Sequence, residues 1–196
     1  MQSFLVSTGV VALAEIGDKT QILSLMLAAR YRKPIPVILG VLAATLVNHA
    51  GAGAVGAWLA SALDASVLDW IVVASFVLMA GWILVPDTFG EDEVAVPGKR
   101  PLGIFGTTAF AFFVAEMGDK TQVATVALAA RFHDFIGVVG GTTLGMMLAN
   151  VPVIYLGHRF ADRLPARAVH AVAALVFVVL GALALRNAIS GTSLVP

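Results

Sequence analysis

The chain has no cysteine, little charge and no basic run. Without cysteine there is no disulfide framework and no thiolate metal site, although the compartment is left open. Lys, Arg, Asp and Glu together make up 12% of its 196 residues, against about 25% in an ordinary soluble domain. With a formal net charge of zero, the chain carries no electrostatic footprint for nucleic acid. No Ser/His pair and no His-Glu-x-x-His constellation marks an intramembrane hydrolase. The start of the chain lacks the basic n-region of a signal peptide, and its first apolar run contains Glu15 and Asp18. It is therefore read as the first helix of the mature protein.

What remains is apolar: 59% hydrophobic residues and a mean hydropathy of +0.94. About 20 apolar residues span a hydrocarbon core of roughly 30 Å, and six stretches qualify, at 4–29, 35–62, 66–85, 102–130, 135–157 and 168–188. The expected fold is an all-α membrane protein of six transmembrane helices, with the lipid bilayer as its surroundings and almost nothing left for a soluble domain.

Charge reappears where it is most expensive. Ala14-Glu15-Ile16-Gly17-Asp18-Lys19-Thr20-Gln21 returns as Ala115-Glu116-Met117-Gly118-Asp119-Lys120-Thr121-Gln122, seven identities in eight, each time inside a long apolar stretch. An ionisable residue at the centre of a membrane helix costs about 2.5–3.5 kcal/mol even on lenient scales. The offset of 101 residues also pairs Leu27-Ala28-Ala29-Arg30 with Leu128-Ala129-Ala130-Arg131 and Gly40 with Gly141, so the chain is two copies of one unit. The expected division is a first three-helix repeat at 1–85, a cytoplasmic linker at 86–101 and a second three-helix repeat at 102–196. Three spans is an odd number, so the second copy enters the membrane from the opposite side. That inverted 3+3 repeat is an architecture of secondary transporters with a midplane site.

The loops after spans one, three and five carry Arg30, Arg32, Lys33, Lys99, Arg100, Arg159, Arg163 and Arg167, whereas the other side carries Arg131 and Arg186. The positive-inside rule places the first set in the cytoplasm and both termini outside. The acidic cluster Asp87, Glu91, Asp92 and Glu93 falls in the linker, where a solvated loop is the better reading than a cation-gathering mouth.

On one continuous helix Glu15, Asp18 and Lys19 share a face, as do Glu116, Asp119 and Lys120. If the two faces meet, four carboxylates and two ammonium groups leave a formal charge of −2. One divalent cation or two protons neutralise it, which is the logic of an exchanger. Carboxylate, hydroxyl and amide oxygens suit hard cations such as Mn²⁺, Ca²⁺ or Mg²⁺. Gly17 and Gly118 permit local unwinding that exposes carbonyl oxygens. The competing reading is a plain i, i+4 salt bridge of Glu15 with Lys19 and of Glu116 with Lys120; it serves for the lysines but leaves one carboxylate per half uncompensated.

Around this core, Lys19, Gln21, Asn48, Lys120, Gln122 and Asn150 are candidates for a surrounding shell. Asn48 and Asn150 stand one residue out of the 101-residue register, and an interhelical hydrogen bond explains each equally well. Pro152 would free the carbonyl of Leu148 and kink the fifth span. His49 is read as a structural, hydrogen-bonded histidine in preference to a ligand or proton carrier. Met117 stands where the first copy has Ile16, so its thioether is filler. The run Gly51 to Ala57 and Gly140, Gly141 and Gly145 read as close-packing helix faces, and Trp58, Trp70 and Trp82 as interfacial anchors.

Twin Glu-x-Gly-Asp-Lys/Arg-Ser/Thr motifs, each on the first helix of a three-helix half, resemble the Gdt-type family of cation/proton exchangers of Golgi, chloroplast and bacterial membranes. The likeness extends over essentially the whole chain. It implies exchange of Mn²⁺ or Ca²⁺ for protons by a multi-pass protein, here of the bacterial inner membrane and similar to manganese exporters, with no cofactor beyond the transported ion. It further implies Glu15, Asp18, Thr20, Glu116, Asp119 and Thr121 as the metal ligands. A passive divalent-cation channel is the alternative, and a homo-oligomer is compatible with the sequence.

Overall fold

The computed structural model describes residues 1–85, 103–156 and 166–190, and these hold eight α-helices. They are α1 (Gln2–Glu15), α2 (Lys19–Tyr31), α3 (Pro34–Ala62), α4 (Ala65–Trp82), α5 (Gly103–Glu116), α6 (Lys120–Phe132), α7 (Phe135–Leu156) and α8 (Ala166–Ser190). The linker expected at 86–101, with Lys99, Arg100 and its acidic cluster, lies outside the described residues, as do Arg159 and Arg163 and the side chain of Arg167.

Stretches of α3, α4, α7 and α8 are long and apolar enough to cross a membrane; α1 and α5 are shorter apolar helices. The expected spans 4–29 and 102–130 are therefore not continuous helices. Each breaks at its motif, between Glu15 and Lys19 and between Glu116 and Lys120. At about 1.5 Å per residue, the 14 residues of α1 reach roughly 21 Å, short of a bilayer core unless α2 extends them.

The two copies repeat each other's local chemistry. Arg32 and His133, equivalent positions, both end their helix in the left-handed region, with φ of 52° and 51°, and their amides donate to the carbonyls of Ala28 and Ala129. Such a C-terminal turn satisfies a carbonyl that the helix leaves open. The next helix restarts at once, through Pro34 at the first turn of α3 and through Asp134 before α7. Asp134 accepts from the Gly137 amide at 2.9 Å and from the Ser3 hydroxyl, which ties the start of α1 to the start of α7.

Small residues set the contacts between copies. A Cβ at Gly40 would lie 2.7 Å from Thr108 Cβ and 2.8 Å from the Phe105 carbonyl; at Gly141 it would strike the Phe4 carbonyl and lie 3.0 Å from Ser7 Cβ. Gly40 and Gly141 are repeat equivalents, and so are their partners. Gly145 presses on Thr8 and Ala12 of α1 in the same way, and Gly53 and Gly56 carry α3 against α7 and α6. Gly51 faces open space, so the expected close-packing run narrows to its buried members Ala52, Gly53 and Gly56. Contacts step along in register, residues 4, 8 and 12 against 141 and 145, and 105 and 113 against 40 and 48. Hence α1 runs parallel to α7, and α5 to α3.

On α4 and α8, Phe76 meets Phe177, its own repeat equivalent, with ring centroids 6.2 Å apart. Both rings are fully buried, in a core with Val72, Met79 and Ile83. A residue that touches its own equivalent lies on the axis relating the copies. A second core gathers Val11, Leu23, Leu27, Val37, Val41, Phe112 and Met146 beside the breaks. The outer surface is apolar, with Leu5, Val47, Leu78, Ile136, Leu175 and Ile189 exposed. Trp58, Trp70 and Trp82 are exposed too, and α7 continues through Pro152.

Gly141→Val should lower stability by about 1–3 kcal/mol through overpacking, read as a lower melting temperature in detergent, while Gly51→Ala should stay within about 0.5 kcal/mol of wild type. A second expectation concerns acid. The Ser3 hydroxyl, then the Gly137 amide, hold the Asp134 carboxyl below its usual range. Its stabilising share is thus present at neutral pH and lost as pH falls through the depressed value. The melting gap between wild type and Asp134→Ala should close below about pH 4, the ordinary aspartate range.

Candidate functional site

Each motif folds into a helix break of the same shape. Gly17 and Gly118 adopt φ of 82° and 79°, a region that glycine enters without a Cβ penalty. Asp18 and Asp119 are extended, each at the N-cap of the following helix. Their amides reach back to the Glu15 and Glu116 carbonyls, both at 3.1 Å. Gln21 and Gln122 turn back over the break, each side-chain carbonyl accepting from the glycine amide, at 3.0 Å from Gly17 and 2.9 Å from Gly118. The glutamines therefore hold the unwound turn. The reading of Glu15, Asp18 and Lys19 as one helix face is corrected accordingly: glutamate closes one helix and lysine opens the next.

The breaks bring the two motifs together. Glu15 lies in electrostatic reach of Glu116, Asp18 and Asp119, and Glu116 in reach of Asp119, Asp18 and the Thr20 hydroxyl of the other motif. Glu15, Asp18, Glu116, Asp119, Thr20 and Thr121 are all buried. Thr20 donates to Glu15 Oε1; Thr121 donates to Glu116 Oε2 at 3.1 Å and stands 3.4 Å from Asp119 Oδ2. The other oxygens, Glu15 Oε2 and Glu116 Oε1, are buried with no hydrogen-bond partner among the described residues.

Both lysines reach across to the other copy. Lys120 Nζ lies 2.6 Å from Asp18 Oδ1, and Lys19 Nζ lies 3.4 Å from Asp119 Oδ1. Both ion pairs cross from one copy to the other, so the plain i, i+4 bridges give way to a crossed arrangement. The two are unequal in environment: the Lys120 side chain is 0% exposed and that of Lys19 is 29% exposed. Among the described residues no three acidic or histidine side chains converge as a ready-made metal cage; the aspartates are held by ammonium groups.

Polar groups from the flanking helices complete the surroundings. Asn150 donates to Glu15 Oε1 at 3.4 Å and accepts from the Ser24 hydroxyl at 2.7 Å. Gln21 also donates to the Ala149 carbonyl at 3.1 Å, and Asn48 to the Phe113 carbonyl at 3.1 Å. Asn150 thus touches a motif carboxylate, whereas Asn48 bridges backbone. Met117 is exposed and contributes nothing. His49 is buried with neither ring nitrogen hydrogen-bonded among the described residues, against the expectation of a satisfied structural histidine. Two participants were missed from sequence. Ser24 carries no signal beyond its place one turn after Thr20. His170 of α8, whose Nε2 lies 2.6 Å from the Ile16 carbonyl, has Asp69 as its repeat equivalent, so the duplication gave no hint of it.

The comparisons with known proteins bear on the family. The sequence profile described as divalent cation/proton antiporter GDT1 matches the chain twice, over residues 3–91 and 104–192. A protein of Vibrio cholerae named as a candidate manganese exporter is 48% identical over 182 residues, 92% of this chain and 88% of its own length. A GDT1-like protein of Synechocystis is 27% identical over 187 residues, 85% of this chain and 88% of its own. A GDT1-like protein of Oryza sativa is also 27% identical, over 88% of this chain and 69% of its own. No solved structure matches the chain. With two matched segments covering nearly all of its length, the chain belongs to the GDT1 family of divalent cation/proton antiporters, integral membrane transporters and not enzymes.

Proposed function

We propose that this protein exchanges a divalent cation, Mn²⁺ or Ca²⁺, for protons at a midplane site shared by the two helix breaks, exporting the cation from the cytoplasm of a bacterial cell across its inner membrane. The observation that carries this reading is the pair of buried carboxylate oxygens, Glu15 Oε2 and Glu116 Oε1, left without a hydrogen bond among the described residues, in a group where Glu15 interacts with the other three carboxylates. Unsatisfied buried acceptors are rare and expensive; here they are the oxygens a cation would take. The ligands would be Glu15, Asp18, Thr20, Glu116, Asp119 and Thr121, with Gln21 and Gln122 holding the breaks and Asn150 orienting Glu15. The manganese in the name of the Vibrio relative favours Mn²⁺.

Charge conservation supplies the mechanism. Lys19 and Lys120 each hold the aspartate of the other copy, so an arriving cation competes with two ammonium groups for the carboxylates. When it leaves, two excess negative charges remain in a medium of low dielectric, and protons take its place. Six spans, each broken helix counted as one, give two inverted three-helix halves, 1–85 and 102–196, joined by a linker at 86–101. The parallel course of α1 with α7 and of α5 with α3 supports this, as does the axial Phe76–Phe177 contact. Rocking of one half against the other then carries the loaded or the protonated site across.

Glu15→Gln, Asp18→Asn, Glu116→Gln and Asp119→Asn should each cut divalent-cation flux in reconstituted vesicles by about a hundredfold or more, since losing one partner of a buried charge cluster costs about 3–5 kcal/mol, with membrane insertion intact. Near-normal flux in any two of them would end the shared-site reading. Proton coupling has its own test: an outward Mn²⁺ gradient should acidify the vesicle interior with the membrane potential clamped. Flux without proton counterflow would instead identify a channel. For topology, with both termini outside, Lys33→Cys should be shielded from an impermeant thiol reagent applied outside and His133→Cys should react. Labelling of both from one side would refute the inversion.

A further inference from the structure

The 101-residue offset that pairs Glu15 with Glu116 pairs Asn150 with His49. Beside the first motif that position is spoken for: Asn150, of the second copy, reaches Glu15 Oε1 and accepts from Ser24. In the second copy the hydroxyl equivalent to Ser24, that of Thr125, is turned to the Thr121 carbonyl of its own helix at 2.7 Å. The imidazole is 1% exposed with both nitrogens unpartnered among the described residues, and Glu116 Oε1 is unpartnered as well.

The place of His49 along the site follows from its neighbours on α3. Asn48 bonds the Phe113 carbonyl, before the second break, and Gly56 packs on the Val126 carbonyl and Ala129, after it. Because α3 runs parallel to α5, His49 stands between these two levels, within about a turn of the break. Gly53 and Gly56 share its face, at i+4 and i+7, and that face is pressed on α7 and α6. The ring is therefore turned to the interface of the copies, and not to lipid.

We propose, resting on the exchanger reading above, that His49 is a specificity-determining ligand, giving the cation one imidazole nitrogen beside the Glu116 carboxylate and so selecting first-row transition cations such as Mn²⁺ over Ca²⁺ and Mg²⁺. The six other donors are all oxygens, which suit Ca²⁺ and Mg²⁺ as well as Mn²⁺ and cannot discriminate by donor type. A neutral imidazole adds affinity for transition metals that a hard Ca²⁺ does not gain. The donors close on the ion as Lys120 yields Asp18, since no cage is formed beforehand among the described residues.

The test is paired Mn²⁺ and Ca²⁺ flux in proteoliposomes with wild type and His49→Asn, which restores the residue of the other copy. The Mn²⁺ over Ca²⁺ preference should fall about tenfold in the variant, through a higher KM for Mn²⁺ with the Ca²⁺ flux retained. An unchanged ratio in an active variant overturns the proposal and returns His49 to a structural role. Should the variant fail to fold or transport, pulsed electron paramagnetic resonance of Mn²⁺ bound to wild-type protein decides. Nitrogen coupling of an imidazole to the bound Mn²⁺ supports ligation, and its absence overturns it. Failure of the wild type to carry either ion would strike the exchanger reading itself, a result distinct from both.

Discussion

Two lysines reaching across to the other copy's aspartates hold the centre of this molecule together. Lys120 with Asp18 and Lys19 with Asp119 bring four carboxylates into a volume that mutual repulsion would otherwise open. Buried charge of this kind is tolerated only with partners in place, and much of the surrounding architecture serves to put them there. The helices break at Gly17 and Gly118 so that glutamate and aspartate face one site from two helix ends. Gln21 and Gln122 satisfy the amides that the breaks release. Glycines on α3 and α7 then let the flanking helices approach closely enough to seal the site.

The same pairs show where the twofold repetition is imperfect. Lys120 is sealed, while Lys19 keeps part of its side chain exposed. Asn150 is bonded to its glutamate where His49, its equivalent, is bonded to nothing described. In an inverted repeat one half rocks against the other around a fixed site, and these differences give the two halves unequal surroundings at that site.

Much of this was legible in the sequence because duplication writes a residue twice. Seven identities in eight, among them costly charges in apolar surroundings, disclosed the motif, and the offset of 101 disclosed the copies. The local unwinding expected at Gly17 and Gly118 is present, but its extent was misjudged: each span was counted as one helix, and the break instead ends one helix at glutamate and starts another at lysine. The direction of the lysines was hidden for a related reason: spacing along one helix says nothing of an aspartate a hundred residues away. The match of His49 with Asn150 was missed because Asn48 drew the comparison one residue out of register. His170 has no counterpart to betray it.

The crossing of the ion pairs has an evolutionary consequence. Each copy supplies one lysine and one aspartate to the two pairs, and each pair joins one copy to the other. A protein made of a single copy could satisfy those charges only by joining a second molecule of itself. Fusion of two such genes would fix the pairing in one chain, after which each copy was free to diverge, as asparagine and histidine have done at one matched position.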